Sequence, residues 1–223
     1  MKYPLPELLA PAGNMASLEA AIDAGADAVY FGADAFNARM RADNFKSEET
    51  SQALSLCRAF GVQAYIPLNT RLTDRELPEA VSLAQRLWDA GADAFILADA
   101  GLATLLRAQI PEVQLHASTQ MSAHTEFDGA ALEQMGFSRM VCPRALSKTS
   151  LTRLCSRSPI PIEMFIHGAH CVSFSGQCLM SAVMGGRSGN RGSCAQPFFI
   201  PYTLGKKNCY TLREQTPVFR GGL

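Results

Sequence analysis

No stretch of this chain approaches the roughly 18 uninterrupted apolar residues that a membrane-spanning helix needs. The opening Met-Lys-Tyr-Pro-Leu-Pro-Glu also lacks the apolar centre of a secretory leader. A cytoplasmic protein is therefore expected. Net charge is missing as well, because 20 Lys and Arg residues cancel 20 Asp and Glu residues. No global field draws the chain to nucleic acid or to an anionic membrane, although a local basic patch stays open. Short Cys-x-x-Cys pairs, the tightest metal signal, are absent. With no His-Glu-x-x-His helix a zinc metallopeptidase is poorly supported, and with no Gly-x-Ser-x-Gly elbow no serine–histidine–acid order can be extracted. The run Gly185-Gly-Arg-Ser-Gly-Asn-Arg-Gly192 carries no Walker lysine and follows a cysteine-rich loop instead of a strand, so it is not a nucleotide fingerprint.

What is present has the composition of one globular domain: 223 residues, 48% hydrophobic and 18% charged, enough for a full-sized core. In a reducing compartment its seven cysteines imply burial, metal ligation or redox chemistry instead of disulfides. Cys57 and Cys155 fall in helical patterns and Cys142 in a strand-like run, which makes them packing residues. The others gather late in the chain. His167-Gly-Ala-His-Cys171-Val-Ser-Phe-Ser-Gly-Gln-Cys178 is followed by a glycine-rich run ending at Cys194, and thiols spaced this way among glycines can converge on one metal centre. The alternative is a glycine-rich surface loop with incidental thiols.

A repeat organises the rest. Asp23-Ala-Gly-Ala-Asp-Ala-Val-Tyr-Phe returns as Asp89-Ala-Gly-Ala-Asp-Ala-Phe-Ile-Leu, each time a helix end, a glycine stop and an apolar strand. Strands are predicted at 7–10, 28–31, 63–67, 94–98, 114–116, 139–142 and 162–166, and helices at 15–24, 47–60, 74–90, 101–109, 124–135 and 147–156. Alternating short apolar runs and amphipathic helices mean a parallel sheet covered by helices. Seven successive units predict an α/β fold of the (β/α)8 TIM-barrel type with the eighth strand missing. Residues 1–204 are expected to form this partial barrel and 205–223 an atypical tail.

In such a barrel the active site lies at the C-terminal ends of the strands. Polar residues after the apolar runs are Asn69 and Thr70, Asp99, the group His116-Ala-Ser118-Thr119-Gln120, Arg144, and His167 with His170. His116, Gln120, Arg144 and His167 are the catalytic candidates, with Asn69, Ser118 and Thr119 as substrate-binding ones. Arg187 and Arg191 are available to an anionic substrate or a nucleic-acid phosphate.

Three segments carry a resemblance. Glu7-Leu-Leu-Ala-Pro-Ala-Gly-Asn, His116-Ala-Ser-Thr-Gln120 and the run from Glu163 to Ser181 together resemble the collagenase-like peptidase family U-32. The Gly185–Pro197 segment is most similar to the branch of that family that hydroxylates a cytidine of 23S ribosomal RNA; other branches hydroxylate tRNA uridine or the ubiquinone ring. The resemblance implies a [4Fe–4S] cluster on Cys171, Cys178 and Cys194, dependence on prephenate, and RNA as partner. A peptidase with a peptide substrate is the second reading, and an inactive truncated fragment the third. One departure stands out: where the family has a cysteine after Ala-Gln-Pro, this chain has Phe198, so the expected fourth ligand is missing; either Cys209, the one later cysteine, substitutes for it, or the site is incomplete and holds a labile cluster or none.

Overall fold

The computed structural model describes residues 5–38, 40, 44–168, 171 and 173–197, together with the backbone of 201–203 and 209–211. Seven strands form one parallel sheet in sequential order: β1 (Leu9–Pro11), β2 (Ala28–Tyr30), β3 (Gln63–Leu68), β4 (Ala94–Leu97), β5 (Gln114–Ala117), β6 (Arg139–Val141) and β7 (Ile162–Glu163). Six helices connect them: α1 (Met15–Asp23), α2 (Ser47–Phe60), α3 (Leu77–Ala90), α4 (Ala100–Gln109), α5 (Glu126–Gln134) and α6 (Lys148–Arg157). A seventh, α7 (Met180–Gly185), follows the cysteine loop, and β8 (Pro201–Thr203) pairs antiparallel with β9 (Cys209–Thr211). This is the seven-strand partial barrel that the repeats predict. The β8–β9 hairpin, which the sequence pattern does not reveal, lies on both sides of residue 204. Among the described residues no helix is long and apolar enough to cross a membrane.

The repeated Asp-Ala-Gly-Ala-Asp motif explains how the units lock together. Its second aspartate sits at the start of a strand and reaches back to the strand before. Asp27 Oδ2 accepts from the Leu8 amide at 2.7 Å, and Asp93 Oδ2 accepts from the Ala64 amide at 2.8 Å. Sheet edges are thereby pinned in register at the same height in two units. The outward faces of the strands and the inner faces of the helices build the main core, with Phe31, Leu54, Ile66, Phe95, Leu102 and Leu115 fully buried. A separate inner cluster of Ala28, Tyr65, Ala94, Ile96 and Val141 fills the lumen.

One strand is shorter than predicted. β7 ends at Glu163 because β6, its only neighbour among the described residues, ends at Val141, the partner of Glu163; Met164, Phe165 and Ile166 have no ladder to join there and are exposed. The first strand shifts by two residues, to Leu9–Pro11, since Glu7 is used elsewhere.

Candidate functional site

At the C-terminal mouth, several of the sequence candidates hold one another. Asn69 Oδ1 accepts from the Ala38 amide at 2.8 Å while its Nδ2 donates to Ser118 Oγ at 3.2 Å. Ser118 Oγ also accepts from the Gln120 amide and starts the 3-10 turn Thr119–Met121. Asp99 caps α4 by accepting from the Leu102 amide at 3.0 Å, and its other oxygen takes the Leu72 amide at 3.2 Å. These residues tie the loops after β2, β3, β4 and β5 into one rim. Gln120 Oε1 is buried on that rim with no partner among the described residues.

The turn after β5 is also the seat of the cysteine loop. Ser122 Oγ donates to the Ser175 carbonyl at 2.8 Å, Arg71 Nη2 donates to the Gly176 carbonyl at 3.2 Å, and the His124 ring stacks on Phe174 at 4.4 Å. Gly176 has φ +79°, and a Cβ there would overlap the Gln120 carbonyl and Ser122 Oγ. Glycine is required on both counts. Gly176→Ala is therefore expected to lift the loop and expose Cys178, which is half-buried. Alkylation of Cys178 by iodoacetamide, followed by peptide mass spectrometry, should quicken roughly five- to tenfold, the effect of about 1–1.4 kcal/mol of local destabilisation. Buried Cys57 serves as the internal standard.

The thiols themselves are not gathered. Cys171 and Cys194 are exposed, and among the described residues no three His, Cys, Asp or Glu side chains lie close enough to hold a metal ion. Among the described residues a closed cluster site is not assembled. Cys194 Sγ does accept the Gln196 amide at 3.3 Å. His170, Phe198 and the Cys209 side chain lie outside the described residues.

His116 is not at the mouth. It belongs to β5 and points into the lumen, 4% exposed, its ring edge-on to Tyr65 at 4.7 Å. The cavity it lines, about 250 Å3, opens among the strand starts at Gln63, Asp93, Gln114 and Ser138. The expectation that it sits beside Gln120 is corrected by register: His116 is level with Ile96 and Arg139, one pleat below the rim. Burial, reinforced by the Arg139 charge, holds its pKa down at about 3, so the ring is neutral, and its Nδ1 has no partner among the described residues. Its neighbour Arg139 makes a bidentate pair with Glu7 at 2.6 and 3.0 Å and faces Glu163 at 3.6 Å. Tyr65 Oη donates to Glu7 as well, at 3.1 Å. The Arg139 hydrogen bonds hold the Glu7 carboxyl below the usual carboxylate range, while burial pushes Glu163 up. Sequence reasoning missed this lumen group. Its signal was a polar residue at an inward position of four of the apolar strands, β3, β5, β6 and β7: Tyr65, His116, Arg139 and Glu163.

Of the remaining candidates, His167 is exposed beyond β7, and the Arg144 guanidinium lies over the Phe165 ring at 5.1 Å. Arg191 is committed to Glu76, with Nη2 to Oε1 at 2.6 Å and Nη1 to Oε2 at 3.2 Å, and donates to the Arg71 carbonyl at 2.9 Å. That pairing and Thr73 push the Glu76 carboxyl down to about 2. Arg187 has no side-chain partner among the described residues.

A seven-strand parallel barrel with a cysteine loop seated on its C-terminal rim defines the class, and comparison with known proteins narrows it. Residues 13–218 match Peptidase family U32, and the chain belongs to that family. It is 40% identical over 198 residues to the 23S rRNA 5-hydroxycytidine C2501 synthase of Escherichia coli K12, covering 89% of this chain and 30% of that protein. It is 35% identical to tRNA hydroxylation protein P1 of Bacillus subtilis 168, covering 89% and 47%, and 34% identical to a collagenase of Porphyromonas gingivalis W83, covering 91% and 51%. The chain thus spans between a third and about half of the curated relatives it matches. The solved U32 peptidase Mk0906 superposes with a TM-score of 0.64 at 12% identity, over 74% of this chain and 70% of that one, and so shares the fold.

Proposed function

We propose that this chain is the barrel part of an RNA hydroxylase, with a cytidine of 23S ribosomal RNA as the substrate, as the name of its 40%-identical relative suggests. The 40% identity to the rRNA hydroxycytidine synthase, ahead of 34% to the collagenase, carries this reading. Rim, cysteine loop and the unpartnered Arg187 all lie on the C-terminal side, where barrel enzymes work.

The proposal includes an oxygen-independent reaction with prephenate dependence and a [4Fe–4S] cluster on Cys171, Cys178 and Cys194, with Cys209 as a fourth ligand. Such a cluster would supply electron transfer when bound, and loading it requires the three thiols to close up from their positions here. The test has two readouts. Expression in a bacterial strain lacking its own rRNA hydroxycytidine synthase should restore 5-hydroxycytidine in 23S rRNA, measured by nucleoside mass spectrometry. Anaerobically purified protein should contain iron and sulfide. Unmodified rRNA in that strain sinks the activity, and iron-free protein sinks the cluster.

A further inference from the structure

We propose that the cavity between the loop after β2 and the Arg187–Ser193 loop is a slot for one extruded pyrimidine nucleotide, with Phe36 and Met40 as the wall for the base and Arg187 as the phosphate contact. This rests on the RNA reading above and deepens it. The cavity measures about 570 Å3, in the range that takes a small ligand.

Its first wall is a strained one. Phe36 has φ +59°, a conformation that costs a non-glycine residue roughly 1–2 kcal/mol. Strain of this kind survives only where the surroundings dictate it. Here they do: the Phe36 carbonyl accepts from both the Thr70 amide, at 3.2 Å, and Thr70 Oγ1, at 3.1 Å, while Asn69 holds the Ala38 amide. The rim residues Asn69 and Thr70 thus fix the loop that places Phe36 and the half-exposed Met40 against the cavity. Phe36, partly buried against the core, and Met40 both line the cavity, and an aromatic or a thioether surface is one that any base can stack on.

The second wall is docked just as firmly. The Arg191–Glu76 pair and the bond from the Arg71 amide to the Asn190 carbonyl, 3.2 Å, bind the glycine-rich loop to the start of α3. Gly192 packs so closely on the Asn37 carbonyl and Met40 that a Cβ would overlap both. Arg191 is neutralised by that pairing. Arg187, exposed and unpartnered among the described residues, is the cation left for a phosphate. Glu79, which also lines the cavity, keeps the phosphate at the Arg187 end and offers an acceptor for an exocyclic amine or a ribose hydroxyl. Ser193 brings the floor of the slot to the residue before Cys194.

The test uses a fluorescein-labelled single-stranded RNA of about ten nucleotides with one central cytidine, read by anisotropy at several salt concentrations. Phe36→Leu should weaken binding about tenfold and Phe36→Tyr less than about twofold, since stacking is worth about 1–3 kcal/mol per base. Arg187→Ala should weaken it about fivefold and lower the slope of log K against log salt by about 0.7, the value for one phosphate on a single strand. Arg86→Ala, on the exposed face of α3, should bind as the wild type does. The slot is overturned if the wild type does not bind, if Phe36→Leu and Arg187→Ala bind normally, or if a collagen peptide displaces the RNA. Loss of binding in both variants without hydroxylated rRNA in the complemented strain upholds the slot and removes the hydroxylase. Normal hydroxylation by both variants removes the slot and leaves the hydroxylase standing.

Discussion

Arg139→Met will destabilise the barrel by about 1–2 kcal/mol, between the effect of an exposed ion pair and that of a fully buried one, because both side chains are only partly buried. Arg139 opens β6, whereas Glu7 lies just ahead of β1, five strands away in the order of the sheet. Their bidentate contact exists because the sheet curls round until its first and sixth strands face each other across the lumen. Glu163, on the opposite edge strand β7, approaches the same guanidinium at 3.6 Å. Arg139 therefore straps together the two edges that no eighth strand joins among the described residues. Methionine keeps most of the volume but leaves two carboxylates without their cation. Arg139→Lys should fall between, because an ammonium cannot engage both Glu7 oxygens in parallel. Adding Glu7→Gln and Glu163→Gln to the methionine variant should recover most of the loss in urea denaturation. Hydrogen exchange should show where the strap acts: amides of Leu9 and Ala10 should exchange faster in Arg139→Met, while those of β4 slow or speed only with global stability. A methionine variant as stable as the wild type would show that the strap carries no load.

Much of this architecture was legible in the chain because parallel barrels write their plan twice. Each strand is a short apolar run and four of the six connecting helices stop at a glycine, Gly25, Gly61, Gly91 or Gly136, so the alternation of units and their order can be read from the chain. What the pattern conceals is direction within a strand. His116 reads as a residue of the strand end because Ser118, Thr119 and Gln120 follow it, yet a single pleat separates the lumen from the rim, and register alone decides between them. Arg139, predicted only as the start of a strand, gains its meaning from Glu7, 132 residues away. The pairing of Arg191 with Glu76 is likewise a long-range contact that no local spacing could announce. The cysteine loop shows the opposite case. Its residues drew attention by composition, but what the structure reveals is how they are seated, through Arg71, Ser122, His124 and the space that Gly176 leaves open.

Acid will destabilise the wild type through His116, and His116→Phe will remove that part of the response. Burial and the Arg139 charge lower the ring's pKa from 6.5 to about 3 on folding. The unfolded chain takes up the proton first, so the stabilising contribution is fully present above pH 6.5 and is lost as the pH falls from there toward about 3. One proton corresponds to about 1.4 kcal/mol per pH unit, hence about 3 kcal/mol between pH 6.5 and 4.5. Glu7 does not contribute in that window, because its folded pKa lies below 4.5 and its own stabilisation fades only as the pH falls lower. Glu163 acts in the opposite sense: its pKa is raised by burial, so its contribution grows as the pH falls through the folded value. Both carboxylates remain in His116→Phe, and the difference between the two proteins at each pH isolates the histidine. Phenylalanine also replaces a buried nitrogen that has no partner among the described residues, which should stabilise the protein by about 1 kcal/mol even at neutral pH. Urea midpoints measured from pH 7.5 to 4.5 should therefore run parallel down to about pH 6.5 and diverge below it, with the variant ahead throughout. Curves parallel over the whole range would mean that His116 is already protonated, or solvated, in the folded lumen, and the neutral ring inferred from its burial would have to be given up.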